Sequence, residues 1–145
     1  MQGIHLTADL QGCDPALLLM SDPAALRTRC LQAVLHAGLQ AVGELFHRFP
    51  PPGGITGVVL LAESHLAVHT WPELGAVTLD VYVCNFGRDN SGKAQSLVEV
   101  LSAAFGPRRC TMGRHDRAEV STVGAGQVGL SGQPPSPDKL PAKRV

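Results

Sequence analysis

Ile55-Thr56-Gly57-Val58-Val59-Leu60-Leu61-Ala62-Glu63-Ser64-His65-Leu66-Ala67-Val68-His69-Thr70-Trp71-Pro72-Glu73 runs from an almost wholly apolar half into a polar one. The second half gathers Ser64, two histidines, two carboxylates and the only tryptophan of the chain. In the first half Ile55, Val59 and Leu61 alternate with Val58, Leu60 and Ala62, so both faces are apolar, and the pattern predicts a central strand covered on both sides. The end of that strand delivers Glu63 and Ser64. A serine hydroxyl near an imidazole suggests nucleophilic chemistry. Ser64 and His69 are an odd number of residues apart, however, and on one unbroken strand they face opposite ways. Their meeting requires a bend near Ser64, the strained local geometry that a bond reacting within its own backbone needs.

A metal reading of the same stretch is weaker. His65 and His69 have the spacing of two imidazoles on one helical turn, but Leu66 stands where a zinc-protease helix carries glutamate. Trp71-Pro72 closes the segment where such a helix would continue. No metal site is expected.

Outward from this stretch the chain alternates between strand and helix signals. Residues 3 to 10 place Ile4, Leu6, Ala8 and Leu10 on one side and His5, Thr7 and Asp9 on the other, a strand with one buried face. Asp22-Pro23 offers a capping carboxylate followed by proline at the first helical position. The helix it opens runs to about residue 37, with Leu26, Cys30, Ala33 and Ala37 in a stripe widened by Leu31, Val34 and Leu35. Gly38 supplies a left-handed stop. Residues 40 to 49 read as a strand, and Pro50-Pro51-Pro52-Gly53-Gly54 forbids regular structure before the next. In 76 to 84, Val77, Leu79, Val81 and Val83 form an apolar face, so Thr78, Asp80, Tyr82 and Cys84 point away from the helix-packed core. A second helix spans 92 to 105, stopped by Gly106-Pro107, and 108 to 116 forms a last strand carrying Cys110 and His115 in structural or exposed roles. From 124 to 145 Gly, Pro, Ser and Lys predominate, as in a disordered tail.

The 145 residues, 44% of them hydrophobic, suffice for one domain with a core but not for two. Twelve basic residues balance twelve acidic ones, leaving no net field to steer the chain to nucleic acid or an anionic membrane. No apolar run has transmembrane length and the N-terminus lacks a signal-like core, so a cytoplasmic location is expected. Cys13, Cys30, Cys84 and Cys110 form no Cys-x-x-Cys pair and read as free thiols, by default buried small hydrophobes, with Cys84 the exception. A glycine-rich phosphate cradle is also missing from the sequence.

The run from Glu63 to Glu73 resembles the processing site of the short prokaryotic S-adenosylmethionine decarboxylases, a pyruvoyl-dependent family. Other segments resemble the family in order: His5-Leu6 its first strand, His47-Arg48-Phe49 its His-Arg-Phe segment, Gly53 to Gly57 its Gly-x-Ser-Gly lead-in, and Cys84 its catalytic cysteine. The similarity covers roughly residues 3 to 118. It implies an α+β fold, a two-layer sandwich with an antiparallel sheet and helices on one face, whose αβ protomers dimerise to complete the sites. It also implies a domain of residues 1 to 123 that cuts itself between Glu63 and Ser64, giving a β chain of 1 to 63 and an α chain of 64 to 145. Ser64 becomes the pyruvoyl group, which forms a Schiff base with the substrate amine and replaces pyridoxal phosphate as electron sink.

By the same resemblance, His69 serves the proton transfers of processing, and Cys84 protonates the decarboxylated substrate. Phe49 stacks on adenine and Glu73 accepts the ribose hydroxyls. The implied product is the aminopropyl donor of spermidine biosynthesis, a polyamine pathway. Two departures stand out: Thr56 replaces a usual serine while keeping its hydroxyl, and Cys84-Asn85-Phe86 replaces a usual Cys-Gly. The alternatives are a relative decarboxylating ornithine or arginine with the same apparatus, and an uncut, non-catalytic regulatory partner.

Overall fold

The computed structural model describes residues 2–85 and 87–117; the tail expected at 124 to 145 lies outside them. Six strands and two helices follow the chain as β1 (Gly3–Gln11), α1 (Pro23–His36), β2 (Ala41–Arg48), β3 (Ile55–Leu61), β4 (Ser64–Trp71), β5 (Ala76–Cys84), α2 (Ser91–Phe105) and β6 (Arg109–Arg117). The strands form one sheet in the order β2-β3-β4-β5-β1-β6, and every neighbouring pair is antiparallel. The α+β two-layer class expected from the sequence is the one observed.

Both helices lie on one face of the sheet. Period-two alternation puts Ile4, Leu6, Ala8 and Leu10 of β1 with Val77, Leu79, Val81 and Val83 of β5 on that face. Leu97, Val98, Leu101 and Phe105 of α2 close over them. Helix α1 adds Leu26, Cys30, Ala33 and Val34. Its start is fixed as the sequence indicates: Asp22 accepts from the N–H groups of Ala24 and Ala25 at 2.8 and 3.3 Å, ahead of Pro23. Its end turns at Gly38, whose φ of +69° a side chain would resist. Arg27 of α1 donates to Glu44 and ties the helix to edge strand β2.

Two expectations are corrected. β3 is not covered on both sides: Ile55, Val59 and Leu61 are buried under the helices, but Leu60 on the opposite face is 51% exposed. Both helices are spent on the other face, so apolarity there marks a surface that nothing among the described residues covers. Leu35 does not widen the buried stripe of α1 and stands 77% exposed. Cys110, on edge strand β6, is exposed, one of the two roles expected for it, and Cys13 and Cys30 are buried as expected.

Candidate active site

The β3–β4 register pairs Leu61 with Ser64, leaving Ala62 and Glu63 as a two-residue connection. Glu63 takes φ +61°, the only non-glycine in the left-handed region among the described residues. Such a backbone costs about 1–3 kcal/mol, so strain sits on the residue whose carbonyl forms the peptide bond to Ser64. Ser64 opens β4, and its Oγ accepts a hydrogen bond from the N–H of Cys84 at 3.2 Å. Cys84 closes β5, only 7% exposed yet outside the core cluster. Its carbonyl accepts from Nδ2 of Asn90 at 2.8 Å. A hollow of about 490 Å³ borders this end, lined by Gln2, Gly3, Asn85, Arg114, Asp116 and Arg117.

At the opposite end of the same strands, Thr56 and His69 are register partners, with Thr56 Oγ1 and His69 Nδ1 3.0 Å apart. The His69 ring lies against Trp71, centroids 5.9 Å apart, and the His47 and Phe49 rings meet edge to face at 4.8 Å. Phe49, Thr56, His69, Trp71 and Glu73 line one cleft of about 360 Å³. Its floor needs glycine: a Cβ on Gly54 would fall 1.7 Å from the carbonyl oxygen of Thr70. Thr70 is the one buried polar side chain there. It accepts from the N–H of Ile55 and donates to the carbonyl of Met20, both at 2.8 Å, pinning the start of β3.

The expected site residues therefore fall into two groups. Glu63, Ser64 and Cys84 meet at one end of β4; Phe49, Thr56, His69 and Glu73 meet at the other. The bend required for Ser64 to reach His69 is a turn at Ala62-Glu63, before Ser64, after which β4 runs unbroken to Trp71. The two side chains then point to opposite faces, five residues or about 17 Å apart along the strand. Within one chain they do not touch. Sequence reading also passed over Trp71 as a cleft wall and Asn90 as a partner of Cys84. A lone tryptophan beside a histidine was a usable signal for the first; a loop asparagine carries none for the second.

Between the two ends, the sheet face opposite the helices divides by polarity. Leu45, Val58, Leu60 and Ala67 share one side of it, by the β2–β3 and β3–β4 registers. Across β4, β5 and β1 lie His65, Tyr82, Asp80 and His5. His5 Nε2 is 3.3 Å from Asp80 Oδ1, and the His65 ring packs against Tyr82 and His5 at 5.7 and 6.1 Å. Partial burial, and secondarily the His5 neighbour, push the His65 imidazole below its ordinary pKa. Among the described residues no group of three side chains is placed to hold a metal ion, and no helix is long and apolar enough to cross a membrane.

Fold and site together define a two-layer α/β protein with a serine hydroxyl set beside a strained peptide. A family model described as S-adenosylmethionine decarboxylase matches residues 4–118. The S-adenosylmethionine decarboxylase proenzyme of Aquifex aeolicus is 36% identical over 118 residues, 81% of this chain and 82% of that protein. The one from Pyrobaculum islandicum is 40% identical over 113 residues, 73% of this chain and 87% of its own. The crystal structure of the Aquifex aeolicus adenosylmethionine decarboxylase superposes with a TM-score of 0.74 at 34% identity, covering 86% of this chain and 97% of that one. The chain belongs to the S-adenosylmethionine decarboxylase family.

Proposed function

We propose that this chain is a carboxy-lyase that removes the carboxylate of S-adenosylmethionine, made as a proenzyme and activated by cutting itself between Glu63 and Ser64. The observation that carries the reading is the Ser64 hydroxyl, held by the Cys84 N–H directly after a residue strained at φ +61°. Ser64 Oγ attacks the Glu63 carbonyl carbon, the peptide nitrogen leaves as an amine, and an ester links the two residues. Loss of the Ser64 Cα proton then breaks the Oγ–Cβ bond, Glu63 departs as a carboxylate, and hydrolysis releases ammonia and leaves a pyruvoyl group. These surroundings suit that group: a small side chain at a strand end, with the backbone N–H of Cys84 on its oxygen. Once formed, it supplies a ketone that captures the substrate amine and draws electrons from the departing carboxylate.

The chain's own residues do the rest. Phe49 offers a half-exposed ring for adenine, and Glu73 at the same cleft offers a carboxylate for the ribose hydroxyls. Cys84 provides the proton that completes the product. His69, paired with Thr56, moves protons during processing. Because His69 and Ser64 lie at opposite ends of β4, the working site is composed from two copies: Ser64 and Cys84 of one, Phe49, Thr56, His69 and Glu73 of its partner. The uncovered apolar side formed by Leu45, Val58 and Leu60 supports a homodimer through the open sheet face. The product is an aminopropyl donor for spermidine synthesis, and a cytoplasmic location belongs to the same reading.

Intact mass and a denaturing gel test it. Freshly made protein yields chains of residues 1 to 63 and 64 to 145, whose combined mass exceeds the uncut chain by one water less one ammonia. The cut protein releases carbon dioxide from S-adenosylmethionine. A chain that stays whole overturns the reading in favour of a regulatory partner. Release from ornithine or arginine alone would reassign the substrate, which the Asn85 departure beside Cys84 makes worth measuring.

A further inference from the structure

Asn90 occupies the residue before α2, a position where asparagine ordinarily turns its side chain onto the helix's first N–H groups. Here it does not. No side-chain cap is made; Nδ2 points away from the helix and donates to the carbonyl of Cys84 at 2.8 Å. The backbone N–H of Asn90 donates to Oδ1 of Asn85 at 2.9 Å, and Nδ2 of Asn85 donates to Oγ of Ser91 at 3.1 Å. The N–H of Asn85 reaches the carbonyl of Gln2 at 2.8 Å. The last residue of β5 is thus fastened to the start of α2 at the point where its sheet pairing ends.

What this fastening fixes is the peptide on the other side of Cys84, whose N–H is 3.2 Å from Ser64 Oγ. That oxygen takes part in both bond changes of self-cleavage. It gives up its proton and bonds to the Glu63 carbonyl carbon, and in the elimination it leaves Cβ with the bonding electrons as an oxygen of the Glu63 carboxylate. A donor already aimed at it stabilises charge at each stage without reorganisation. We infer that Asn90 is a positioning residue for self-cleavage, holding the Cys84 main chain so that its N–H stays on Ser64 Oγ. The inference deepens the proposed processing reaction and rests on it.

Two substitutions separate this role from simple structural support. Asn90→Asp keeps the shape and places a carboxylate at a helix N-terminus, where it is favourable, but deletes the donor to Cys84. Asn90→Ser keeps a capping hydroxyl that is too short to reach that carbonyl. Purified uncut protein of each is followed by denaturing gel for the appearance of two chains, beside its thermal unfolding midpoint. The expected result is cleavage slowed roughly tenfold in both, the loss of one well-placed hydrogen bond, with an unchanged or raised midpoint for Asn90→Asp. Cleavage at the wild-type rate in both variants overturns the inference, as does slowing that merely tracks a lowered midpoint. If the wild-type chain itself stays whole, the processing reading falls, and this inference with it; a cut wild type with fast-cutting variants sinks this inference alone.

Discussion

If the reactive serine and the imidazole that serves it come from different copies, two crippled chains should repair each other. Ser64→Ala removes the nucleophile, and His69→Ala removes a group whose proton transfers are worth about 10²–10⁴ in rate. Alone, the first is never cut and the second is cut at least about a hundredfold slower than wild type. A base must sit about 3 Å from the proton it moves. Ser64 and His69 of one chain are about 17 Å apart along β4, a gap that rotamer changes cannot close. Chains co-expressed in equal amounts pair at random, so about half of the His69→Ala chains acquire a Ser64→Ala partner. That partner brings an intact Thr56-His69 pair to their intact Ser64. The assay is a denaturing gel with the two chains tagged differently: about half of the His69→Ala chains should be cut at near the wild-type rate, and none of the Ser64→Ala chains. No cutting in the mixture beyond that of His69→Ala alone would place both residues in one chain's site and refute the composite arrangement.

Three further outcomes follow from individual contacts. Thr56→Val keeps the β-branched shape but removes the hydroxyl 3.0 Å from His69 Nδ1, which should slow cleavage roughly tenfold, while Thr56→Ser leaves it equal or faster; the gel time course decides, and an unaffected Thr56→Val chain would remove Thr56 from processing. Glu73→Gln weakens acceptance of the ribose hydroxyls, so KM should rise about tenfold or more, with self-cleavage untouched; loss of cleavage in step with activity would make Glu73 a structural residue instead. His65, whose folded pKa lies below its ordinary 6.5, leaves the unfolded chain to take up the proton first as pH falls. The stability of uncut protein is then full above 6.5 and declines through the window beneath it. Urea midpoints between pH 8 and 5.5 should show that decline, flatter in His65→Gln; identical slopes in the two proteins would contradict it.

The parts of the fold legible in the sequence are those written in periodicity. The alternation of 3 to 10 and of 76 to 84 gave β1 and β5 with the correct buried sides, and Asp22-Pro23 and Gly38 bracketed α1. Periodicity reports that a face is apolar and not what lies over it. The outer side of β3 was therefore read as covered, although both helices pack on the other side and Leu60 is half exposed. The same limit governs Leu35: its place beside Val34 in the helical stripe says nothing of how far the sheet extends beneath α1. For the candidate site, residue types pointed to Glu63, Ser64 and His69, and the family resemblance to Cys84, but strand parity alone already said that Ser64 and His69 diverge. The resolution expected was a bend near Ser64 that brings the two together. In the fold the chain does reverse close by, at the two-residue Ala62-Glu63 connection, but before Ser64, and the parity conflict persists.

In the proposed composite site, that persisting conflict has a physical use. A chain that carried nucleophile, strained peptide and proton-transfer group in contact would be poised to cut itself as soon as β3 and β4 paired, before α2 had closed over β1 and β5. With Ser64 and His69 at opposite ends of an unbroken β4, folding of one copy forms each half but does not bring the two together. The strain at Glu63 is set by the hairpin and is present in the lone chain, and so is the Cys84 N–H on Ser64 Oγ, because both depend on contacts within one copy. In the proposed dimer only the imidazole is then missing, to be brought by association through a face whose apolar half is left uncovered by both helices. On that proposal geometry orders the events: helices close the core, the open face finds its partner, and only then would the backbone of the Glu63-Ser64 turn meet the group that lets it react.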